Sequence, residues 1–264
     1  MVLRLLLFLV FWGQVALCFA APVPRVINGE NAPKNAFPWM AALIAPESIP
    51  DLDLTFCGAT VVDSRYVLTA AHCVHDLFGE LLRARDVEVL VGRKTLSEET
   101  GERLSVQRII PLPEYDPERF VPIGDLALLR LSGETSTPVI SLATRSIETA
   151  HPPGSSSSVL GWGIMNPDAL SVFPDTLQIG ELPLLEDSLC EERYGLLFHA
   201  SSMVCAGKLS SSQEAKDGVD TCNGDSGGPL FVEDDGRYFQ IGITSFGFRC
   251  EDVEFPGIYT RVAE

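Results

Sequence analysis

The stretch TCNGDSGGPL (residues 221–230) places one serine among three glycines, and Gly224-Asp225-Ser226-Gly227-Gly228 fits the G-x-S-x-G pattern of a nucleophilic serine. A hydroxyl that attacks a carbonyl must be exposed, with main-chain N–H groups aimed where negative charge develops on the carbonyl oxygen. Glycines let the backbone come that close. Such a serine also needs a base to take its proton. The chain has four histidines, His72, His75, His151 and His199, and all precede Ser226. That order excludes the α/β-hydrolase arrangement, in which the histidine follows the serine.

Among the four, His72 stands in LTAAHC, directly after a β-like apolar run and beside Cys73. His75, next to Asp76, reads as a solvated loop residue. His151 falls in a connector and His199 carries no comparable motif. A histidine base needs a carboxylate in low-dielectric surroundings to hold its tautomer and stabilise the imidazolium. Asp125 answers to that description, because it opens the strongly apolar run GDLALLRL.

The elements that must position these groups read as mostly β. Short runs rich in Val, Ile, Leu and Thr recur, among them TVVDSRYVLTAA (60–71), DVEVLVG (86–92) and FQIGITSFG (239–247), each bounded by Gly, Pro, Asp or Ser. Residues 187–197, DSLCEERYGLL, form the best helical candidate, with Asp187 or Ser188 as N-cap. HPPGSSSS (151–158) reads as a connector between two β units of similar size.

At 264 residues with 46% hydrophobic composition the chain can bury a large core. Its net charge of −17 repels phosphate backbones and anionic membranes, so nucleic acid is not an expected partner. Residues 1–20 combine Arg4, an apolar run and a small-residue end, which predicts a secretory signal peptide cleaved after Ala20 and an extracellular protein. A retained signal anchor is the alternative, since the run approaches spanning length. Seven cysteines less Cys18 leave Cys57, Cys73, Cys190, Cys205, Cys222 and Cys250 in the mature chain. An even count in a secreted chain implies bridges whose connectivity the spacing leaves open. No pair stands at C-x-x-C spacing, which argues against zinc, and no metal or cofactor is expected.

LTAAHC, GDLALLRL and DTCNGDSGGPL, in that order, resemble the trypsin-like serine proteases of the chymotrypsin fold, and FPWMAAL, VLGWG, ITSFG and PGIYTRV extend the similarity over residues 26–262. The resemblance implies an all-β architecture: two packed six-stranded antiparallel β-barrels (26–150 and 151–264) with the active site in the cleft between them. It implies Ser226 as nucleophile, His72 as general base and then acid, Asp125 as the orienting anion, and the N–H groups of Gly224 and Ser226 as the oxyanion hole. RVING (25–29) is similar to the family's activation site, so residues 21–25 would form a propeptide. Cutting after Arg25 would free the Val26 ammonium to pair with Asp225, which makes the uncut chain a zymogen. Asp220 matches the floor of the primary pocket, where a carboxylate selects Arg or Lys, and Gly247, Gly257, Ser245 and Tyr194 match positions lining it.

The same resemblance pairs Cys57 with Cys73, Cys190 with Cys205, and Cys222 with Cys250. A further family bridge is missing, its positions occupied by Ser157 and Val232. Phe246 replaces a tryptophan. Arg93 stands where calcium-binding relatives have an acidic ligand, so calcium is not expected despite Glu98, Glu99 and Glu102. The chain ends at Glu264 where relatives continue into a helix. The expected partners are protein or peptide substrates and protein protease inhibitors, acting on a monomer with no membrane attachment once the signal is removed. The alternative is a non-catalytic homologue that serves as a binding protein.

Overall fold

The structure is a computed structural model that describes residues 29–46, 55–164, 173–209, 221–222, 224–248 and 254–263. Among them, no helix is long and apolar enough to cross a membrane. The chain enters through β1 (Glu30–Asn31), which joins the second sheet rather than the first. Six strands then close on themselves: β2 (Met40–Ile44), β3 (Thr55–Asp63), β4 (Tyr66–Thr69), β5 (Glu88–Val91), β6 (Glu102–Pro111) and β7 (Ala127–Leu131). Their order around the barrel is β2-β3-β4-β7-β6-β5, every pairing antiparallel. Alternation drives the closure: in β7 Ala127, Leu129 and Leu131 point inward and are buried, while Leu128 and Arg130 between them are half-buried.

The second half contains β8 (Ser141–Leu142), β9 (Ser156–Gly161), β10 (Gln178–Pro183), β11 (Met203–Ala206), β12 (Pro229–Asp234), β13 (Arg237–Phe246) and β14 (Gly257–Arg261). The path β10-β9-β12-β13-β14-β11 is antiparallel throughout. Its ends meet where Leu184 bridges Ala206, Leu185 N–H donates to the Cys205 carbonyl at 3.0 Å and Gly207 N–H donates to the Pro183 carbonyl at 3.1 Å. Those bonds turn six of the strands into a second barrel. β1 adds to β10 from outside, and β8 pairs with β13 in parallel.

The connector is shorter than the sequence suggests. β9 begins at Ser156, so three serines of the run belong to a strand, with the buried Ser157 hydroxyl donating to the Leu182 carbonyl at 2.7 Å. Pairing with β10 satisfies the backbone of these small polar residues, which overrides their turn preference. A short helix α1 (Arg145–Ala150) precedes it. The anticipated second helix is α2 (Asp187–Tyr194), entered from Glu186 as the N-cap position with no side-chain cap, so neither Asp187 nor Ser188 caps it. It stops at Gly195, whose φ of 57° leaves the right-handed helix, and a 3-10 turn covers Gly195–Leu197.

The barrels share a core. Leu160, Trp162, Leu177, Phe231 and Ile243 of the second half belong to the same buried cluster as the first barrel's interior. Phe37, Trp39, Phe231 and Tyr238 meet edge-on at the seam, with Trp39 and Phe231 rings 5.2 Å apart. Nearby, the buried Thr60 hydroxyl donates to Gln240 Oε1 at 2.7 Å. This seam sets the relative position of the halves, and thus of every group contributed to the cleft.

Candidate active site

His72 follows β4 through the buried Ala70 and Ala71 and opens the 3-10 turn His72–Val74. A disulfide between Cys57 on β3 and Cys73 ties that turn to the barrel wall. Asp125 lies two residues before β7, the strand paired with β4, so strand pairing alone brings the two segments together. One Asp125 oxygen, Oδ1, accepts the His72 backbone N–H at 2.8 Å, and Oδ2 lies 2.7 Å from His72 Nδ1. The carboxylate is fully buried, whereas the histidine side chain is 33% exposed. The anion is therefore sealed and the imidazole reaches outward.

A third donor comes from the other barrel. Ser245 Oγ donates to Asp125 Oδ2 at 2.5 Å, and the Thr260 hydroxyl donates to the Asp125 carbonyl at 3.0 Å. β13 and β14 slip register between Thr244 and Phe246, and this bulge directs Ser245 toward Asp125 instead of along the regular pleat. Burial by itself would raise the Asp125 pKa. The His72 charge and ring bond, the Ser245 hydroxyl and the His72 backbone N–H together outweigh burial and hold it below the ordinary value. For His72, burial is likewise the largest influence and acts to lower the pKa; the Asp125 charge and hydrogen bond reverse it, leaving the imidazole more basic than usual. With Nδ1–H committed to Asp125, Nε2 is the nitrogen left to accept a proton.

The serine turn is wound from main-chain bonds. Asp225 N–H donates to the Cys222 carbonyl at 3.0 Å, Gly228 N–H to Asp225 at 2.9 Å, and Gly227 N–H to Thr244 at 2.9 Å. Gly58 N–H donates to the Ser226 carbonyl at 2.7 Å. That bond joins the serine to the residue after Cys57, and so through the disulfide to the His72 turn. The approach demands glycine, since a Cβ on Gly58 would stand 2.9 Å from Gly228 Cα. Ser226 is half-buried. Among the described residues no hydrogen bond joins Ser226 Oγ to His72 Nε2; what brings the two segments together is the Gly58 junction. Gly224 has φ +98°, and neither its N–H nor that of Ser226 is committed to a backbone acceptor among the described residues. Two unspent donors in one turn are what an oxyanion requires.

Asp225 points the opposite way, into the protein, and is fully buried. Its oxygens accept Gly163 N–H at 2.8 Å and Cys222 N–H at 2.9 Å. Burial raises its pKa to about 6, against the lowering effect of those two bonds. Arg25, Val26, Asp220 and Cys250 lie outside the described residues. Cys222 is disulfide-bonded, and Cys190 pairs with Cys205. Among the described residues nothing stands within 4 Å of a Cβ on Gly247, whereas a Cβ on Gly257 would meet Tyr259. Tyr194 is buried, donates its hydroxyl to the Pro256 carbonyl at 2.6 Å, and stacks on Phe248 with Phe246 and Phe255 edge-on.

Several contributors carried no mark in the sequence. Thr260, Gly58 and the Gly163 N–H act through the backbone or from distant strands; PGIYTRV contains the first and VLGWG the last, but neither stretch marked the role. Phe173 was also missed: its ring edge would stand 3.0 Å from a Cβ on Gly224. His75 is not a solvated loop residue. Its Nδ1 lies 2.8 Å from the Ala71 carbonyl and its ring meets Tyr115 at 5.1 Å, because the loop folds back on itself. Arg93 donates to the Leu96 carbonyl at 2.9 Å and to Thr100 at 2.7 Å, placing a guanidinium inside the loop. Of the two positions that lack the extra family bridge, Ser157 is hydrogen-bonded and Val232 is packed in the second core. Cys57, His72 and Cys73 cluster within 4.8 Å, but both sulfurs are spent in the disulfide, which leaves no thiolate for a metal.

A buried carboxylate on a histidine, beside a glycine-wrapped serine at the seam of two barrels, agrees with what the chain matches. The family model for trypsin covers residues 26–264. Serine protease 56 of Mus musculus is 35% identical over 247 residues, spanning 90% of this chain and 37% of the relative. Serine protease 56 of Homo sapiens is 34% identical over 248 residues, with the same coverage of 90% and 37%. The chain thus belongs to the trypsin family of serine proteases and has its chymotrypsin fold, and it spans little more than a third of the length of these curated relatives.

Proposed function

We propose that the chain is a secreted serine endopeptidase, made as a zymogen, that hydrolyses peptide bonds after Arg or Lys through His72, Asp125 and Ser226. The observation that carries this reading is the Asp125 carboxylate, buried with the imidazole as its only basic neighbour among the described residues and bonded at 2.7 Å to His72 Nδ1. An isolated buried anion is costly, and its natural compensation here is the imidazolium that forms during the reaction.

In the proposed reaction His72 Nε2 takes the Ser226 hydroxyl proton as Oγ adds to the scissile carbonyl carbon. The carbonyl oxygen becomes an oxyanion held by the Gly224 and Ser226 N–H groups, each donor contributing about 3 kcal/mol to the transition state. The imidazolium then gives its proton to the leaving amine as the C–N bond breaks. Water repeats the sequence on the acyl-enzyme and frees Ser226. Asp125, its pKa held down, stays ionised throughout. No cofactor enters.

Specificity for Arg or Lys rests on Asp220, and activation on cutting after Arg25 so that the Val26 ammonium pairs with Asp225. A fully buried Asp225 with a raised pKa supports the second idea, because it is a carboxylate in want of a cation. The absence of any described residue within 4 Å of a Cβ on Gly247 supports the first. Signal-peptide removal, Cys222–Cys250 pairing and a monomeric state acting on protein substrates and met by protein inhibitors complete the proposal.

Treatment of the cut protein with an arginine-type diaryl phosphonate tests it. Labelling at Ser226, blocked in the uncut precursor and in Ser226→Ala, is expected. An unmodified serine in the cut protein would favour a non-catalytic binding protein, and labelling only by a phenylalanine-type reagent would remove the Arg/Lys specificity.

A further inference from the structure

Gly224 carries one of the two N–H groups proposed for the oxyanion, yet a glycine does not by itself choose where its N–H points, because it adopts φ of either sign about as readily. The chain after it is fixed. Asp225 N–H donates to the Cys222 carbonyl at 3.0 Å, and the Asp225 carboxylate accepts the Gly163 and Cys222 N–H groups at 2.8 and 2.9 Å. None of those bonds engages the peptide that carries the Gly224 N–H. Among the described residues, two groups crowd Gly224 where a Cβ would stand: Gly163 Cα at 3.0 Å, and the edge of the Phe173 ring, with Cε1 at 3.0 Å and Cδ1 at 3.5 Å. That gap holds a hydrogen and nothing larger. Rotation about the Gly224 N–Cα bond drives the hydrogen against one wall or the other, so the wedge favours the φ of +98°.

The ring is held from the first barrel. Two residues beyond Phe173, the Asp175 carboxylate accepts the Ser97 N–H at 2.7 Å and the Ser97 hydroxyl at 2.5 Å, and the Asp175 carbonyl accepts the Leu96 N–H at 2.8 Å. Thr176 bridges Thr95, and Leu177 N–H donates to the Lys94 carbonyl at 2.8 Å. The chain that follows the ring is thus stitched to residues 94–97. Phe173 itself stays 37% exposed and, among the described residues, joins none of the buried apolar clusters. A ring so firmly anchored, yet outside every core, spends its contact on the serine turn.

We propose that Phe173 is a positioning residue for turnover: its ring, pinned through Asp175 to the first barrel, holds Gly224 at positive φ and so keeps the Gly224 N–H turned toward the oxyanion. This rests on the serine endopeptidase reading above. Phe173 acts through Gly224 and not on the reacting atoms. Loss of a whole oxyanion donor costs about 10²- to 10³-fold in kcat, and a ring that only biases the direction of one donor accounts for part of that, ~10-fold. The contribution falls on kcat because the donor is engaged fully only once charge has developed on the carbonyl oxygen.

Steady-state kinetics of Phe173→Ala in the cut protein, normalised by active-centre titration so that only folded molecules count, tests this. kcat should fall ~10-fold with KM held within about 2-fold. A peptide aldehyde ending in the residue the parent cleaves after should bind ~10-fold more weakly, since its hemiacetal oxygen needs the same donors, while the matching peptide amide binds as before. Phe173→Tyr keeps the ring edge and should restore both values. Should Phe173→Ala not fold, Phe173→Leu carries the same test with a smaller loss. Crystal structures of cut Ser226→Ala protein with and without Phe173→Ala should show Gly224 leaving its positive φ, or adopting two orientations, only where the ring is gone. An unchanged kcat overturns the proposal, as does a raised KM at constant kcat, which makes the ring a substrate contact, or a Gly224 that keeps its φ without the ring. If the cut parent hydrolyses no peptide and takes no phosphonate at Ser226, the endopeptidase reading has failed and the role in turnover with it, whatever the crystals show of the packing.

Discussion

Asp225→Asn in the uncut chain isolates the energy stored at the proposed activation site. Asp225 is fully buried, and its pKa rises from the ordinary 3.8 to about 6 because burial outweighs the Gly163 and Cys222 N–H bonds. That displacement corresponds to about 3 kcal/mol of preference for the neutral form in the folded state. The folded pKa lies above the unfolded one, so between the two the unfolded chain has released its proton while the folded chain retains it. Stability is therefore full below pH 3.8 and falls as pH rises, reaching its loss of about 3 kcal/mol above about pH 6. Urea unfolding of Arg25→Gln and Arg25→Gln/Asp225→Asn, compared at about pH 4 and about pH 8, cancels every other titrating group. The stability of the first relative to the second should fall by about 2.5 kcal/mol between those conditions, since the unfolded carboxyl is already partly ionised at about pH 4. Ser226→Ala protein cut by an added protease should show a smaller fall, since the Val26 ammonium keeps Asp225 ionised. A gap independent of pH in the precursor, or the same fall in cut and uncut protein, would refute the pairing.

Asp125→Asn in a Ser226→Ala background should drop the His72 pKa below 6.5, because burial, the largest influence on it, then acts without the opposing carboxylate; an NMR titration showing no fall would contradict that balance. Arg93→Ala removes both carbonyl contacts inside the 93–102 loop and should cost about 1–2 kcal/mol, read as a lower Tm. Adding calcium or a chelator to the unaltered protein should leave that Tm in place. Gly224→Ala forces a Cβ onto φ +98° and to 3.0 Å from Gly163 Cα and the Phe173 ring, so turnover of a peptide substrate should fall by about 10²-fold and Tm should fall with it, by the equivalent of about 1–3 kcal/mol; near-normal kcat would argue against an oxyanion role for this turn.

Much of this molecule is legible in its residues because motifs report chemistry that few residue types can perform. A serine among glycines, a histidine beside a cysteine and an aspartate opening an apolar strand each constrain function locally, and their order excludes rival arrangements. A strongly apolar run after Asp125 foretold the strand β7, and short apolar runs bounded by turn residues foretold an all-β chain. Local preference misled where pairing won, as in Ser156–Gly161, whose serines look like a turn until β10 satisfies their backbone.

By itself, then, the sequence determined which side chains can do chemistry and which family they resemble, since both follow from residue type and order. Only the tertiary structure decided what surrounds them. A bulge aims Ser245 at Asp125, and Arg93 finds carbonyls of its own loop. Those outcomes depend on which backbone groups are already bonded and which are buried, and burial and pairing belong to the assembled chain, not to any stretch of it.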